Sequence, residues 1–328
     1  MANSINTNYG ANIALQNLNA TNRALETTQN RINTGKAVNS AKDNGAIWSI
    51  AQNQTTQMNA LDAVKQSLQR GQSTIDVAMA AGETVKDVLG QMKNLVLAAS
   101  DPGVDKASLD AYEEDFKNLA KQITTTIQGA NFNGVNMIAN LDATTGAPLA
   151  TGTGKSLKAL ASADGKNTID VSGVNFALHA PADATAGAGT TANTTAEAIT
   201  AGAGIRLASS SFTAVRAEAK TAADLNTTAG ETSRATAWSD LMKQVDDSIS
   251  YVTSSLTKLG TGSKSLDNQL TFTSKLQDTL ETGIGNLVDA DLAKESAKLT
   301  ALQTKQQLGV QALSIANSSS SVLLSLFR

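Results

Sequence analysis

The chain has 328 residues with no cysteine, one histidine, three prolines and 3% aromatics. Those counts exclude zinc clusters, thiol nucleophiles and Cys/His pairs, so no catalytic residue, no metal site and no cofactor is expected. A net charge of −3, from 26 basic and 29 acidic residues, gives no reason to expect nucleic acid or an anionic membrane as a partner.

The N-terminus has neither a basic segment nor a continuous apolar stretch, so no secretory signal is expected. No run approaches the roughly 20 apolar residues of a membrane span. In the first segment Ala11, Leu18, Leu25 and Ile32 fall seven apart, with Leu15, Asn22 and Gln29 as the companion row. From Leu61 the pattern thickens: Leu61, Val64, Leu68, Gly71, Ile75, Ala78, Gly82, Val85, Leu89, Met92, Val96 and Ala99 alternate at three and four. That is a sustained helical seam, stopped at Asp101-Pro102-Gly103. A shorter helix follows, with Leu109, Tyr112, Phe116, Leu119 and Ile123 on one face and a turn at Asn131-Phe-Asn-Gly134.

The centre, residues 141–232, is rich in Ala, Thr and Gly. Ser156–Ser162, a turn at Ala163–Asn167 and Thr168–Ala177 read as a β-hairpin. The remainder has too little apolar content for a core, and its Ser/Thr content marks exposure without establishing glycans. The helical spacing returns at Trp238, Met242, Val245, Ile249, Val252, Leu256, Leu259, Leu266, Leu270, Leu280, Ile284 and Leu287. These seams hide best against one another. The fold class is therefore mainly α: a long antiparallel helical bundle or coiled coil built from both chain ends, with a small β-hairpin and a low-complexity central insertion. Leu61, Leu68, Ile75, Leu89, Val96, Phe116, Ile249, Leu256, Leu270 and Leu280 are its expected core.

The last segment has a row of Leu292, Leu299, Gln306 and Leu313 beside a row of Leu302, Gly309, Ala316 and Leu323. Both outer seams are thin. Fully burying a leucine is worth roughly 1.5–3 kcal/mol, whereas ordering each backbone residue costs about 1–2 kcal/mol. A mid-helix Gly309 removes about 1 kcal/mol more. The ends are expected to be mostly disordered in the free chain and to turn helical when partners cover them, which points to a polymer. An apolar tail, Val322-Leu-Leu-Ser-Leu-Phe-Arg328, asks for burial too.

Fragments that imitate catalytic motifs lack their context. Gly152-Thr-Gly-Lys-Ser156 resembles the end of a phosphate-binding loop, but Leu149 stands where its first glycine belongs and no strand precedes it. Gly187–Ala192 mimics a dinucleotide fingerprint inside low-complexity sequence. His179 has no second ligand. Glu113, Glu114 and Asp115 fan around a helix and read as a solvated face. Asp289 and Asp291 read as helix caps.

The chain's two ends resemble the bacterial flagellins. The resemblance rests on Ser4-Ile-Asn-Thr-Asn8, Ala14-Leu-Gln-Asn-Leu-Asn19, Arg31-Ile-Asn-Thr-Gly35 and Asn39-Ser-Ala-Lys-Asp-Asn-Gly45. Their counterparts are Leu308-Gly-Val-Gln-Ala-Leu-Ser-Ile-Ala-Asn317 and Ser325-Leu-Phe-Arg328. It covers about the first 140 and last 95 residues, and Ala46-Ile-Trp48 with Asp289–Ser296 is most similar to the alphaproteobacterial members. The resemblance implies a subunit that self-assembles into the extracellular flagellar filament for swimming, with the hook–filament junction protein as the alternative. It implies an inner coiled coil of 1–44 with 290–328, a helical bundle with hairpin of 45–180 with 233–289, and an exposed insertion of 181–232. Subunit contacts would fall on Leu15, Leu18, Leu25, Ile32, Leu299, Leu302, Leu313, Leu323, Leu326 and Phe327. Gly35 and Gly45 bracket a connector able to bend. Expected partners are further copies of the chain, an export chaperone, the flagellar type III export apparatus, and the hook-associated and cap proteins. The family's contact with Toll-like receptor five would lie at Leu89, Gln91, Lys93 and Asn94, where Gln91 and Lys93 replace arginines and Asn94 a glutamate. Weak or no activation is expected.

Overall fold

The structure is a computed structural model that describes residues 8–142, 145–149, 152–178, 205, 207, 211–213, 215 and 228–325, with the side chains of 228–234 and 319–325 outside the description. Five helices and two strands carry the described chain. They are α1 (Tyr9–Thr34), α2 (Ala41–Ala99), α3 (Lys106–Gly129), β1 (Leu157–Leu160), β2 (Thr168–Val171), α4 (Thr228–Val288) and α5 (Leu292–Ser325). No described helix is long and apolar enough to cross a membrane. Contacts divide the chain into two units, residues 1–59 with 275–328 and residues 60–274.

In the 60–274 unit, the α2 seam is buried at every step the spacing marks, from Leu61 to Ala99. Leu68, Ile75, Leu89, Val96 and Phe116 lie in one core cluster, which also takes Ile123 and Ile127 of α3. Against it α4 presents Trp238, Leu241, Val245, Val252, Leu259 and Leu266. Ile249, Leu256 and Leu270 flank this row, half-buried. The reason is that α4 turns a small-residue row inward: Ser248 and Ser255 are 2% exposed. The larger neighbours pack at the edges of that row. Ser248 satisfies its hydroxyl by donating to Gln244 O at 2.6 Å. Phe212 joins this core with its ring 5.3 Å from Phe116 and 5.1 Å from Trp238, spacings at which tilted aromatic pairs attract.

The hairpin forms with Leu157 opposite Val171 and Leu160 opposite Thr168. It is tied to the helices by polar bonds, with Leu160 N donating to Ser67 Oγ (3.1 Å) and Gln269 Nε2 donating to Ala161 O (2.8 Å). Beside it, Val174 N donates to Met137 O (2.7 Å), Phe176 N to Ile138 O (2.7 Å) and Gly154 N to Val174 O (2.8 Å). These segments cross so closely that a Cβ on Gly154 would overlap Met137 O, and one on Gly173 would overlap Gly154 O. Only glycine fits there. Gly152–Ser156, the fragment that resembles a phosphate loop, thus serves a backbone crossing, and Lys155 Nζ donates to Gly134 O at 3.2 Å.

One expectation is corrected in α3. Glu114 and Asp115 are solvated, but Glu113 is 7% exposed. Its Oε1 accepts from Lys117 Nζ (2.8 Å) and from Thr213 Oγ1 (2.6 Å). These two donors, one of them from within the central segment expected to lack a core, make burial possible, because a buried carboxylate must be paired. Asp291 caps α5, accepting from Ala293 N and Lys294 N, whereas Asp289 bridges Lys36 through the backbone. His179 and Gly187–Ala192 lie outside the described residues.

In the unit of 1–59 with 275–328, a small cluster of Val38, Ala51 and Val288 is edged by Ile47, Ile284 and Leu287. Leu280 is half-buried in this unit. The two connectors are hydrogen-bonded to each other: Ala37 N donates to Val288 O (2.7 Å) and Ala290 N to Gly35 O (2.9 Å). Gly35 ends α1 in the left-handed conformation at φ 68°. Asn44 interrupts α2 at φ −160°, ψ 101°. Its Oδ1 accepts from Ala46 N and Ile47 N, so the long helix restarts there with a side-chain cap. One residue earlier, Asp43 Oδ2 accepts from Ser40 N, from the Ser40 hydroxyl and from Asn39 N. Those bonds hold the Asp43 carboxyl below its ordinary value.

Candidate functional site: the terminal helix pair

α1 begins with Asn8, whose Oδ1 accepts from Ala11 N at 3.0 Å. The same side chain donates from Nδ2 to Ala316 O at 2.8 Å. Further along, Gln306 Nε2 donates to Asn22 Oδ1 at 2.8 Å, and Arg31 meets Glu295 at 3.0 Å. Residue numbers fall along α5 as they rise along α1, so the pair is antiparallel.

The structure places Leu18, Leu25 and Ile32 half-buried on the α1 contact face and Leu299, Leu302 and Leu313 half-buried on that of α5. The companion row in α1 differs from the sequence expectation. Leu15 is 46% exposed, and Asn22 and Gln29 are exposed with it. The second inward row is Ala14, half-buried, with Thr21 and Thr28 buried, Thr28 fully. In this heptad seam the positions three after Ala11, Leu18 and Leu25 face the partner, and those four after turn outward. Leucine at 15 stands out by its hydrophobicity, whereas the row that packs is small and partly polar. Leu323 lies on α5 with its side chain outside the description, and Leu326 and Phe327 lie outside the described residues altogether.

At the base of the pair sits a polar node that sequence reasoning missed. Glu295 is 9% exposed, with Arg31 on Oε1 and Lys298 3.9 Å from Oε2. Burial pushes the Glu295 carboxyl up, but the Arg31 hydrogen bond and the charges of Lys298 and Arg31 together outweigh it and hold the group below its ordinary value. The heptad position of Glu295, three before Lys298 and seven before Leu302, was the available signal.

Away from this seam the pair leaves large apolar side chains in solvent. Tyr9, Ile13 and Leu15 do so on α1, and Leu308, Val310 and Ile315 on α5, the last at 69% exposure. Charge chemistry is sparse, and among the described residues no cluster of three or more His, Asp or Glu side chains is arranged to hold a metal. The arrangement suits apolar association. In the other unit Leu89 faces the core with no exposed surface, so of the four positions marked for receptor contact only Gln91 and Asn94 are exposed. Lys93 is half-buried and pairs with Asp246 at 2.7 Å.

Residues 5–143 match the bacterial flagellin N-terminal helical region and residues 242–327 the bacterial flagellin C-terminal helical region. Flagellin FljM of Caulobacter vibrioides is 49% identical over 326 residues, spanning 99% of both chains. Flagellin C of Rhizobium meliloti is 36% identical over 99% of both. A crystal structure of Bacillus cereus flagellin matches 71% of this chain and 94% of that one at 15% identity and a TM-score of 0.30, and the assignment rests on the sequence matches instead. Nothing in these matches favours a hook–filament junction protein. The chain belongs to the bacterial flagellins, with similar relatives among alphaproteobacteria, and is a self-polymerising structural subunit of the flagellar filament.

Proposed function

We propose that the chain polymerises through its terminal helices, with 1–44 and 290–328 forming the inner layer and Leu15, Leu18, Leu25, Ile32, Leu299, Leu302, Leu313, Leu323, Leu326 and Phe327 contributing to its contacts. The bundle of 45–180 with 233–289 forms the next layer, and the insertion of 181–232 extends outward from it while returning Ile205, Leu207 and Phe212 to the bundle core. The observation that carries this is the set of large apolar side chains left in solvent on α1 and α5, on helices whose own seam is too thin to stabilise them. The ends are then largely unfolded in the free subunit, which also suits passage through a narrow export channel with a chaperone covering the C-terminal helix. Export by the flagellar type III apparatus, the extracellular location, and capture by hook-associated and cap proteins follow from the same reading.

The test is seeded polymerisation of the full chain beside a truncation lacking residues 1–32 and 300–328, viewed by negative-stain electron microscopy. Long tubular filaments from the full chain alone are expected. Filaments from both, or closed particles from the full chain, overturn the terminal-helix reading. For the receptor face, Gln91 has no charge and Lys93 lacks the planar fork of arginine, so Toll-like receptor five reporter cells should respond weakly or not at all. A response equal to that of an enterobacterial flagellin refutes this.

A further inference from the structure

We infer that Leu18 and Gly309, with Asn22 and Gln306 one turn nearer the base, form a pairing element that selects α1 against α5 over the other pairings open to crowded terminal helices. The inference rests on the assembly reading above and names the residues that give it specificity. A Cβ built on Gly309 would lie 3.3 Å from Leu18 Cδ1 and 4.0 Å from Leu18 Cβ. Leu18 is thus a knob and Gly309 the hole that receives it. Glycine inside a helix is unfavourable, and the close approach of Leu18 supplies a reason for it at this position.

The polar pair adds a second discriminator. Gln306 meets Asn22 at 2.8 Å, whereas a slip of one heptad sets Leu299 or Leu313 against Asn22 and strips that bond. The same slip sets Leu302 or Ala316 against Leu18, overfilling or crowding the hole. Pairing two copies of α1 at this level sets knob on knob, and two copies of α5 hole on hole. A contact that fits one arrangement and penalises its rivals gives specificity. Within one chain the connectors already fix the register near the base, through Ala290 N and Gly35 O. Selection therefore matters most among helices of neighbouring copies, where no connector intervenes.

The chain has no cysteine, so introduced pairs report contacts without background. The 4.0 Å Cβ separation falls inside the range a disulfide spans. Filaments grown from Leu18→Cys/Gly309→Cys should oxidise to a crosslink within one chain, read on a non-reducing gel. The slipped pairs Leu18→Cys/Leu302→Cys and Leu18→Cys/Ala316→Cys should not. Comparable crosslinking of a slipped pair, or a ladder of crosslinks joining different copies, overturns the inference. A size swap gives an independent reading. Gly309→Leu should raise the critical concentration for seeded growth about tenfold or more, and adding Leu18→Ala should recover most of that loss. No recovery, with the melting of the 60–274 unit unchanged, overturns it as well. If the 1–32/300–328 truncation polymerises, the assembly reading itself fails; if the truncation is inert while the swap has no effect, only the pairing element fails.

Discussion

α1 and α2 both repeat their contact positions every seven residues, and they come to different ends. Along α2 the two rows are Leu61, Leu68, Ile75, Gly82, Leu89 and Val96 beside Val64, Gly71, Ala78, Val85, Met92 and Ala99, all buried. Along α1 the first row is only half-buried and the second is Ala14, Thr21 and Thr28. The spacing sets which face turns inward in both. What separates them is a third layer: α2 joins a cluster that also includes α3, the hairpin and α4, whereas among the described residues the α1 seam packs on α5. Periodicity specifies a partner, and the amount of apolar surface that partner can cover decides whether the fold stands by itself.

The largest expected effect lies in the covered unit. Phe116→Ala removes a fully buried ring that touches Phe212, and should cost about 3–5 kcal/mol in the urea unfolding of the free subunit. A loss below about 1 kcal/mol, the size of a surface change, would break the contrast. Glu113→Ala comes next, because it leaves Thr213 without its acceptor and opens a buried site. About 1–3 kcal/mol is expected in the same measurement, with Glu113→Gln losing less. Leu25→Ala in α1 should move that unfolding curve by no more than about 0.5 kcal/mol while seeded filament growth falls sharply. Equal effects on both would merge the two regions into one stability unit.

The smallest expected effect is on acidity. The folded Glu295 carboxyl sits below its ordinary value, so the unfolded group is the one that takes a proton first. Its contribution to the helix pair is complete above the ordinary carboxylate range and is lost as pH falls through the lowered value. Filament growth in the wild type should therefore weaken in that acid window more than in Glu295→Gln. Parallel pH curves for the two would assign the sensitivity to other carboxylates.

The helices, the hairpin and the α2 seam were legible because apolar residues at fixed spacing leave few alternatives. Three features were hidden for three different reasons. Ser248 and Ser255 look like surface residues, yet both are buried on the inward row of α4. Glu113 reads as one of three adjacent acids, and its partner Thr213 is 100 residues away, beyond any local pattern. In α1 a leucine at position 15 outweighs Thr21 and Thr28 on any hydrophobicity scale, although the heptad geometry turns it outward. Gly309 was legible as a weak point in its helix, and the side chain that fills the gap was not.

The paired connectors have a kinetic consequence. Bringing residues 35–38 to residue 288 closes a segment most of which is already ordered in the 60–274 unit. Once it is closed, α1 and α5 start side by side at high effective concentration. The pair is then expected to zip outward from its base, through Arg31 and Glu295, then Asn22 and Gln306, then Leu18 and Gly309, with Asn8 and Ala316 last. Pulsed hydrogen exchange during growth would register this as protection advancing from Ile32 toward Ala11, so that each subunit locks first where it is tied and last at its free ends.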